Sequence, residues 1–326
     1  MRYLEGVESR KPISRIGLGT WQFGSREWGY GEDYASREAD LIVARAGELG
    51  ITLFDSAEAY GLGHSERILG AALANHGLHE RAFVATKLFP LLPVASVVQQ
   101  RARASASRLG VDAIDLYQVH WPNPVVRDGT TMAGMRALQE AGVVVEVGVS
   151  NYPLDRWREA EHALGGRVLS NQVQFSLAHP GPLDDLVPFA QAQGRVVIAW
   201  SPLAQGFLSG RYDAEHRPTG RVRTMNSLFL AENLDRATDL LDAVRDVAGT
   251  HGATPSQIAL AWLIHHPSVV AIPGASSVAQ VEANAAAADI TLTDDEVAEL
   301  TAQARQFQPV GNLAVVGGRV RSRLNR

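Results

Sequence analysis

The sequence predicts an α/β fold, a (β/α)8 or TIM barrel with a long loop after the seventh strand and a C-terminal tail. Three observations carry that prediction. Eight short apolar runs alternate with amphipathic or Ala-rich stretches along the 326 residues. The runs are near-continuous Val, Ile, Leu and Phe, the pattern of parallel strands covered on both faces. The polar residues that end four successive runs, Asp55, Lys87, His120 and Ser150, stand 32, 33 and 30 residues apart, which is the length of one β/α unit.

In chain order the predicted strands are Ile16–Leu18, Ile51–Phe54, Phe83–Thr86, Ile114–Val119, Val143–Val149, Val168–Val173, Val196–Ala199 and Val269–Ile272. Helices are predicted over Ser36–Leu49, Glu66–His76, Ser96–Leu109, Met132–Glu140, Leu154–Leu164, Leu183–Gln193, Asn233–Ala248, Pro255–His265, Val278–Ala286 and Asp294–Ala304. Local signals mark two of their starts. Thr254-Pro255-Ser256-Gln257 joins an N-cap, a proline at the first helical position and a capping-box glutamine. Thr293-Asp294-Asp295-Glu296 is a second capping box, with its acids at the positive helix end. The surplus over eight units is an N-terminal lead-in, the loop from Ser201 to about Asn233, and the segment after Ala304. Within the loop, Gly206–Arg223 is rich in Gly, Arg and turn formers, and is expected to be functional. With no linker, low-complexity tract or short repeat, one domain over residues 1–326 is expected. A doubly wound open sheet would announce a dinucleotide site by G-x-G-x-x-G; neither that pattern nor a P-loop occurs.

Composition narrows the function classes. Apolar residues make up 46% and charged residues 20%, which excludes a disordered or fibrous chain. A net charge of -5 argues against nucleic acid as a partner. No apolar run approaches the ~18 residues of a membrane span. Met1–Pro12 carries charges and lacks the apolar core of a secretion signal, so a cytoplasmic location is expected. There is no cysteine, which excludes disulfides, thiolate metal sites and Cys nucleophiles. Lysine occurs only at positions 11 and 87 among 30 basic residues, so Lys87, at the end of an apolar run, needs a reason.

In a β/α barrel the chemistry sits at the C-terminal strand ends. The residues there are Asp55, Lys87, His120, Ser150-Asn151, Gln172, Trp200-Ser201 and Pro273-Gly274. Reducing a carbonyl by hydride transfer creates an alkoxide, which needs a nearby acid. Tyr60, five residues beyond Asp55, is within reach. An unaided tyrosine has a pKa of about 10, and a neighbouring ammonium, Lys87, is expected to lower it. Asp55 can keep that ammonium charged in a partly dry site, and His120 can orient or polarise the carbonyl oxygen.

These residues fall into a longer pattern. Phe54-Asp55-Ser56-Ala57-Glu58-Ala59-Tyr60-Gly61 and Gly17-Leu18-Gly19-Thr20-Trp21 resemble the signatures of the aldo-keto reductase superfamily. Thr86-Lys87, Gln118-Val119-His120-Trp121, Gly148-Val149-Ser150-Asn151, Asn171-Gln172-Val173, Trp200-Ser201-Pro202-Leu203-Ala204-Gln205-Gly206 and Ile272-Pro273-Gly274-Ala275-Ser276-Ser277 follow in that family's order. The last two look like the bacterial and potassium-channel β-subunit-like branch. The resemblance spans roughly residues 15 to 300. It implies an NADP(H)-dependent oxidoreductase with Asp55, Tyr60, Lys87 and His120 as its catalytic tetrad and Tyr60 as the acid.

Ser150, Asn151 and Gln172 are donors and acceptors suited to a nicotinamide carboxamide, and Trp200 can stack on the ring; all four match the family's positions. The resemblance also assigns Thr20, Trp21 and Asp55 to the cofactor's surroundings. It gives Ser201, Pro202, Leu203, Gln205, Gly206 and Leu208 to a loop that wraps the pyrophosphate. Arg211, Arg221 and Arg223 are expected to favour NADPH over NADH. Gly274, Ser276, Gln280 and Asn284 match the adenosine end. Two departures stand out: Gly274 replaces a frequent lysine, and Ala283 a frequent acid. Ser277-x-x-Gln280 also reads as an ordinary capping box. No metal site is expected, and His76–His79 and His265-His266 read as surface features. Substrate contacts are expected from Trp21, Trp28, Tyr60, Leu88, Phe89, His120, Trp121 and the tail, where Arg319, Arg321, Arg323 and Arg326 read as solvated. An aromatic-lined mouth suits a small carbonyl or alcohol substrate. The alternative is an NADP(H)-binding regulatory subunit with slow turnover.

Overall fold

In the computed structural model, residues 1–24 and 34–311 are described, without the side chains of Ala35, Ser36 and Arg221. Eight strands form one parallel sheet in sequential order: β1 Leu18–Gly19, β2 Leu53–Asp55, β3 Phe83–Leu88, β4 Ile114–Val119, β5 Val144–Ser150, β6 Val168–Gln174, β7 Val196–Trp200 and β8 Val269–Ala271. Backbone bonds join the two ends of the sheet: Gly17 N–H to the Ala271 carbonyl at 2.8 Å, Ala271 N–H to the Arg15 carbonyl at 2.9 Å, and a parallel bridge between Gly19 and Gly274. The fold is a (β/α)8 barrel.

The strands separate two kinds of core. Inward residues such as Leu53, Phe83, Ala85, Leu116, Val196, Ile198 and Val270 pack on one another inside the barrel. Outward residues such as Tyr117, Val119, Val147, Val149, Val197 and Ala199 pack under the helices, which is why the strands read as continuous apolar runs.

Three elements depart from the predicted boundaries for identifiable reasons. The second strand begins at Leu53 rather than Ile51. The Ile51 N–H still closes the preceding helix, Ala39–Glu48, on the Ala46 carbonyl at 3.0 Å. The helix expected from Met132 starts at Asp128, whose carboxylate is held by Tyr152 and Arg156. The single helix expected over Asn233–Ala248 is two, Ala231–Arg236 and Thr238–His251, divided at Ala237. The Asn233 amide there donates to the Ser227 and Val310 carbonyls, tying the loop after β7 to the chain beyond the last helix. Helices Leu154–Leu164, Pro255–His265 and Val278–Ala286 have their predicted limits, and both capping boxes form. Among the described residues no helix is long and apolar enough to cross a membrane.

The barrel's stagger sets the height of the strand ends. Asp55 pairs with Ala85, Lys87 with Gln118, and Gln118 with Gly148. Lys87 and His120 therefore each stand two residues beyond the partner of the site residue on the preceding strand, and Ser150 is level with His120. Two residues preserve the inward face, so these side chains rise together at the mouth. Gly148 makes this closeness possible, because a Cβ there would lie 2.4 Å from Ser170 Oγ and 2.8 Å from Gln118 Cγ. Gly148→Ala is expected to destabilise the fold by about 1–3 kcal/mol through overpacking, measured by urea denaturation.

Candidate active site

The Lys87 side chain is fully buried inside the barrel. An ammonium has three protons to place. They go to Asp55 Oδ1 at 2.6 Å, the Ser56 carbonyl at 2.8 Å and the Tyr60 hydroxyl at 3.5 Å. Asp55 is 2% exposed, and its other oxygen accepts from Gln172 Nε2 at 2.8 Å. Tyr60 sits on a turn after β2, its N–H bonded to the Ala57 carbonyl at 3.0 Å. His120 directly follows β4, stacks on Trp121 with ring centroids 3.8 Å apart, and meets Tyr60 edge-on at 5.9 Å. The four residues that the sequence singled out for chemistry thus meet at one point.

Electrostatics fix their protonation. Burial pulls the Lys87 ammonium down, but the charges of Asp55 and Tyr60 and the hydrogen bonds to both more than offset it; the net shift is upward. Burial also pushes the Tyr60 hydroxyl up, Lys87 pulls it back, and Asp55 pushes it up again. The net is above the ordinary tyrosine value, which corrects the expectation of a lowered one. The reason is that desolvation of the phenolate outweighs the pull of Lys87, which Asp55 opposes. His120 is driven down to about 2 by burial and then by Lys87, so its ring is neutral. Its Nδ1 is buried with no hydrogen-bond partner among the described residues.

Beside these four lies a polar shelf. Ser150 Oγ donates to the Gln172 carbonyl at 2.7 Å. Asn151 Nδ2 donates to the His120 carbonyl at 3.1 Å and to Ser150 Oγ at 3.0 Å, and its Oδ1 accepts from Trp200 Nε1 at 3.1 Å. Gln172 Oε1 has no hydrogen bond among the described residues, and the Trp200 indole is half-exposed. The chain turns sharply just after β5 and again just after β7: Asn151 has φ of 61°, and Ser201, Ala204 and Gln205 have φ of 52°, 47° and 59°. Such strain in non-glycine residues gathers where a backbone is shaped for a ligand. Gln205 is held by its neighbours, its carbonyl accepting from Arg223 Nε at 2.9 Å and its side chain from Asn226 at 3.2 Å. A half-open indole, a free amide oxygen and a bent backbone cradle fit a nicotinamide dinucleotide.

Other predicted cofactor residues are placed differently. The Thr20 hydroxyl is buried between Ser65 Oγ and the Asp55 carbonyl. Pro202 and Leu208 are buried, Leu203 and Gly206 half-buried, and Arg211 exposed. Gln280 caps its own helix by accepting from Ser276 N at 2.8 Å, and Asn284 donates to the Gly274 carbonyl at 3.4 Å. At Gly274 a Cβ would lie 2.8 Å from Gln22 Oε1, so Gln22 fills the space of a side chain there. The Arg221 side chain, Trp28 and Arg319, Arg321, Arg323 and Arg326 lie outside the described residues.

Of the residues expected to contact substrate, Trp21, Phe89 and Trp121 are exposed; Phe89 meets Trp121 edge-on at 6.0 Å, and the Trp21 and Tyr60 ring centroids are 6.3 Å apart. Leu88, expected among substrate contacts, instead packs outward under the helices with no exposure. Strand alternation puts it on the face opposite Lys87. His266, expected at the surface, is half-buried between Phe175 and Trp262, with an unpartnered Nε2 and a pKa pulled down to about 4 by burial, then by His265 and Arg15. Among the described residues no group of three or more His, Asp or Glu could hold a metal ion.

Residues 15–305 match the sequence model of the Aldo/keto reductase family. The chain belongs to that family. It is 55% identical to an "uncharacterized oxidoreductase" of Mycobacterium tuberculosis over the full length of both chains. It is 35% identical to the methylglyoxal reductase YeaE of Escherichia coli, over 88% of this chain and 90% of that one. Among solved structures it resembles an aldo/keto reductase of Klebsiella pneumoniae in complex with NADP and acetate, with a TM-score of 0.74 and 29% identity over 96% of this chain and 98% of that one. This aldo/keto reductase is an enzyme, an oxidoreductase.

Further polar supports stand behind the site. Glu66 is fully buried, accepting from Thr86 Oγ1 at 2.6 Å and Arg108 Nε at 2.6 Å. Thr86 directly precedes Lys87, so this pair anchors the strand from its outer face. Partners 42 positions apart leave no mark on local periodicity. Nor did the sequence show that Gln172 would engage Asp55.

The Lys87–Asp55 pair is drier than its place at the barrel mouth suggested. Lys87→Met strands a buried carboxylate and is expected to cost about 3–5 kcal/mol. Adding Asp55→Asn should recover part of that loss. Urea denaturation of both single variants and the double checks this; strict additivity would mean that the two side chains do not interact.

Proposed function

We propose that this enzyme interconverts small carbonyls and alcohols with NADPH/NADP+, with Tyr60 as the general acid in reduction and the base in oxidation. The observation that carries this reading is the Tyr60 hydroxyl, 3.5 Å from an ammonium whose charge Asp55 holds. When bound, the nicotinamide supplies or accepts the hydride.

The chain's own residues do the rest. A raised Tyr60 pKa keeps the phenol protonated at neutral pH, the form that can give a proton to a developing alkoxide. Lys87 steadies the phenolate left behind. Neutral His120 offers an N–H to the carbonyl oxygen, which orients it. Gln172 Oε1, with Ser150 and Asn151, would hold the carboxamide, and Trp200 would cover one ring face. The loop Ser201–Leu208 would follow the pyrophosphate. Trp21, Phe89 and Trp121 would wall the substrate. NADPH is favoured over NADH in this reading. The NADP-bound relative supports it, and Arg211, Arg221 and Arg223 follow the pyrophosphate loop.

Tyr60→Phe is expected to lower turnover ~10²–10⁴-fold while leaving cofactor affinity nearly intact, measured with a panel of aldehydes and ketones that includes short oxoaldehydes. A variant keeping a tenth of wild-type activity would exclude Tyr60 as the acid. For pH, the sign follows from the active form. Reduction needs protonated Tyr60, whose pKa is raised, so kcat/KM for reduction should stay flat through neutrality and fall only above the ordinary tyrosine range. Oxidation needs the phenolate and should rise with pH over the same range. Because His120 is neutral throughout, neither profile should bend near pH ~6.5. A guanidinium contact to the ribose phosphate should make NADPH bind roughly ten- to hundredfold tighter than NADH. Titration of both cofactors against Trp200 fluorescence measures that ratio, and equal affinities would refute the preference.

A further inference from the structure

Glu58 lies between Asp55 and Tyr60, on the turn that presents the proposed acid. Its side chain is 9% exposed. Oε1 accepts the Phe89 N–H at 2.5 Å and faces Arg101 Nη2 at 2.8 Å, while Oε2 accepts Arg101 Nε at 3.0 Å. Arg101 Nη1 donates in turn to the Phe89 carbonyl at 2.8 Å and to the Leu91 carbonyl at 3.4 Å. The Glu58 N–H points to the Lys87 carbonyl at 3.4 Å. One two-pronged ion pair therefore grips the Phe89 residue by both its N–H and its C=O. It joins three elements: the Tyr60 turn, the end of β3 just past Lys87, and the helix Ala95–Leu109 that carries Arg101.

We propose that the Glu58–Arg101 pair is a positioning device for the acid, which sets the separation of the Tyr60 hydroxyl from the Lys87 ammonium and aims Phe89 at the substrate. This rests on Tyr60 being the acid. A guanidinium forked onto a carboxylate has a fixed plane and spacing, so it transmits position and not only charge. An ion pair that served stability alone would not need to hold a backbone unit at the mouth. The contact it governs has little slack: at 3.5 Å the Tyr60–Lys87 hydrogen bond is at its outer limit. Burial raises the Glu58 carboxyl, opposed by the Phe89 N–H and by Arg101, with Glu66 adding to the rise. The net shift is upward, so the grip on Phe89 and Arg101 offsets only part of the desolvation.

The test compares Arg101→Met, Arg101→Lys and the double variant Glu58→Gln with Arg101→Gln, which leaves no stranded charge. Para-nitrobenzaldehyde and NADPH serve as probes. Arg101→Met is expected to lower kcat about 10–100-fold, the scale of a small misplacement of reacting groups, with NADPH affinity unchanged and part of the loss recovered in Arg101→Lys. Tyr60 ionisation, read as the ultraviolet difference between each protein and its Tyr60→Phe counterpart, should move to higher pH as the Lys87 contact loosens. If Arg101→Met folds poorly, the double variant should show the same kcat loss and the same shift. An unchanged kcat, or one that falls only with the folded fraction while the Tyr60 midpoint stays put, would overturn the proposal. If the wild type reduces no carbonyl, the functional reading fails, and the Tyr60 titration still decides whether the pair sets the Tyr60–Lys87 contact.

Discussion

The site depends on one requirement: an ammonium placed inside a barrel must find an anion and acceptors for all its protons. Lys87 is fully buried, so the surrounding protein must meet that demand. Asp55 answers the charge, and the Ser56 carbonyl and Tyr60 hydroxyl take the remaining protons. Once Asp55 is committed to Lys87, its second oxygen needs a donor, which Gln172 supplies from the far side of the barrel. Tyr60, Lys87, Asp55 and Gln172 are therefore one connected network. A change at the amide shelf reaches the phenol through two hydrogen bonds and a salt bridge.

The same field explains why the two remaining protonation states are what they are. The cation that steadies Tyr60 also disfavours a charge on His120, which burial has already made costly. A neutral imidazole beside a protonated phenol is an arrangement of donors facing the mouth, suited to an oxygen that gains negative charge. On the cofactor side, strain replaces charge. Left-handed Asn151 is held by Trp200, and left-handed Gln205 by Arg223 and Asn226. The loop's shape is thus imposed by packing and hydrogen bonds around it.

The outer layer holds the inner one still. Glu66, gripped by Arg108, bonds Thr86 on the outer face of β3, and Glu58 with Arg101 holds the residue two places beyond Lys87. Both arginines lie on the helix Ala95–Leu109, so one helix steadies the strand that carries the lysine. Lys87 can be fully desolvated without drifting because its backbone is fixed from behind.

The sequence by itself determined the barrel, since eight buried parallel strands must be written as apolar runs at β/α spacing, and that pattern is local. It also determined the place of Asp55, Lys87 and His120, because polar residues that end apolar runs of a barrel stand at its mouth, and that of Tyr60, five residues beyond Asp55. Helix limits were legible where a capping box or proline marks them, as at Thr254 and Thr293, and were missed where a tertiary contact sets them, as at Asp128. Only the tertiary structure decided the direction of the Tyr60 shift, because it is a balance between desolvation and two opposite charges whose distances no spacing encodes. It alone showed Gln172 reaching Asp55, Gln22 filling the space beside Gly274, and Leu88 facing away from Lys87's pocket. These depend on which residues the barrel's stagger brings level, and that is set by the closure of the whole sheet.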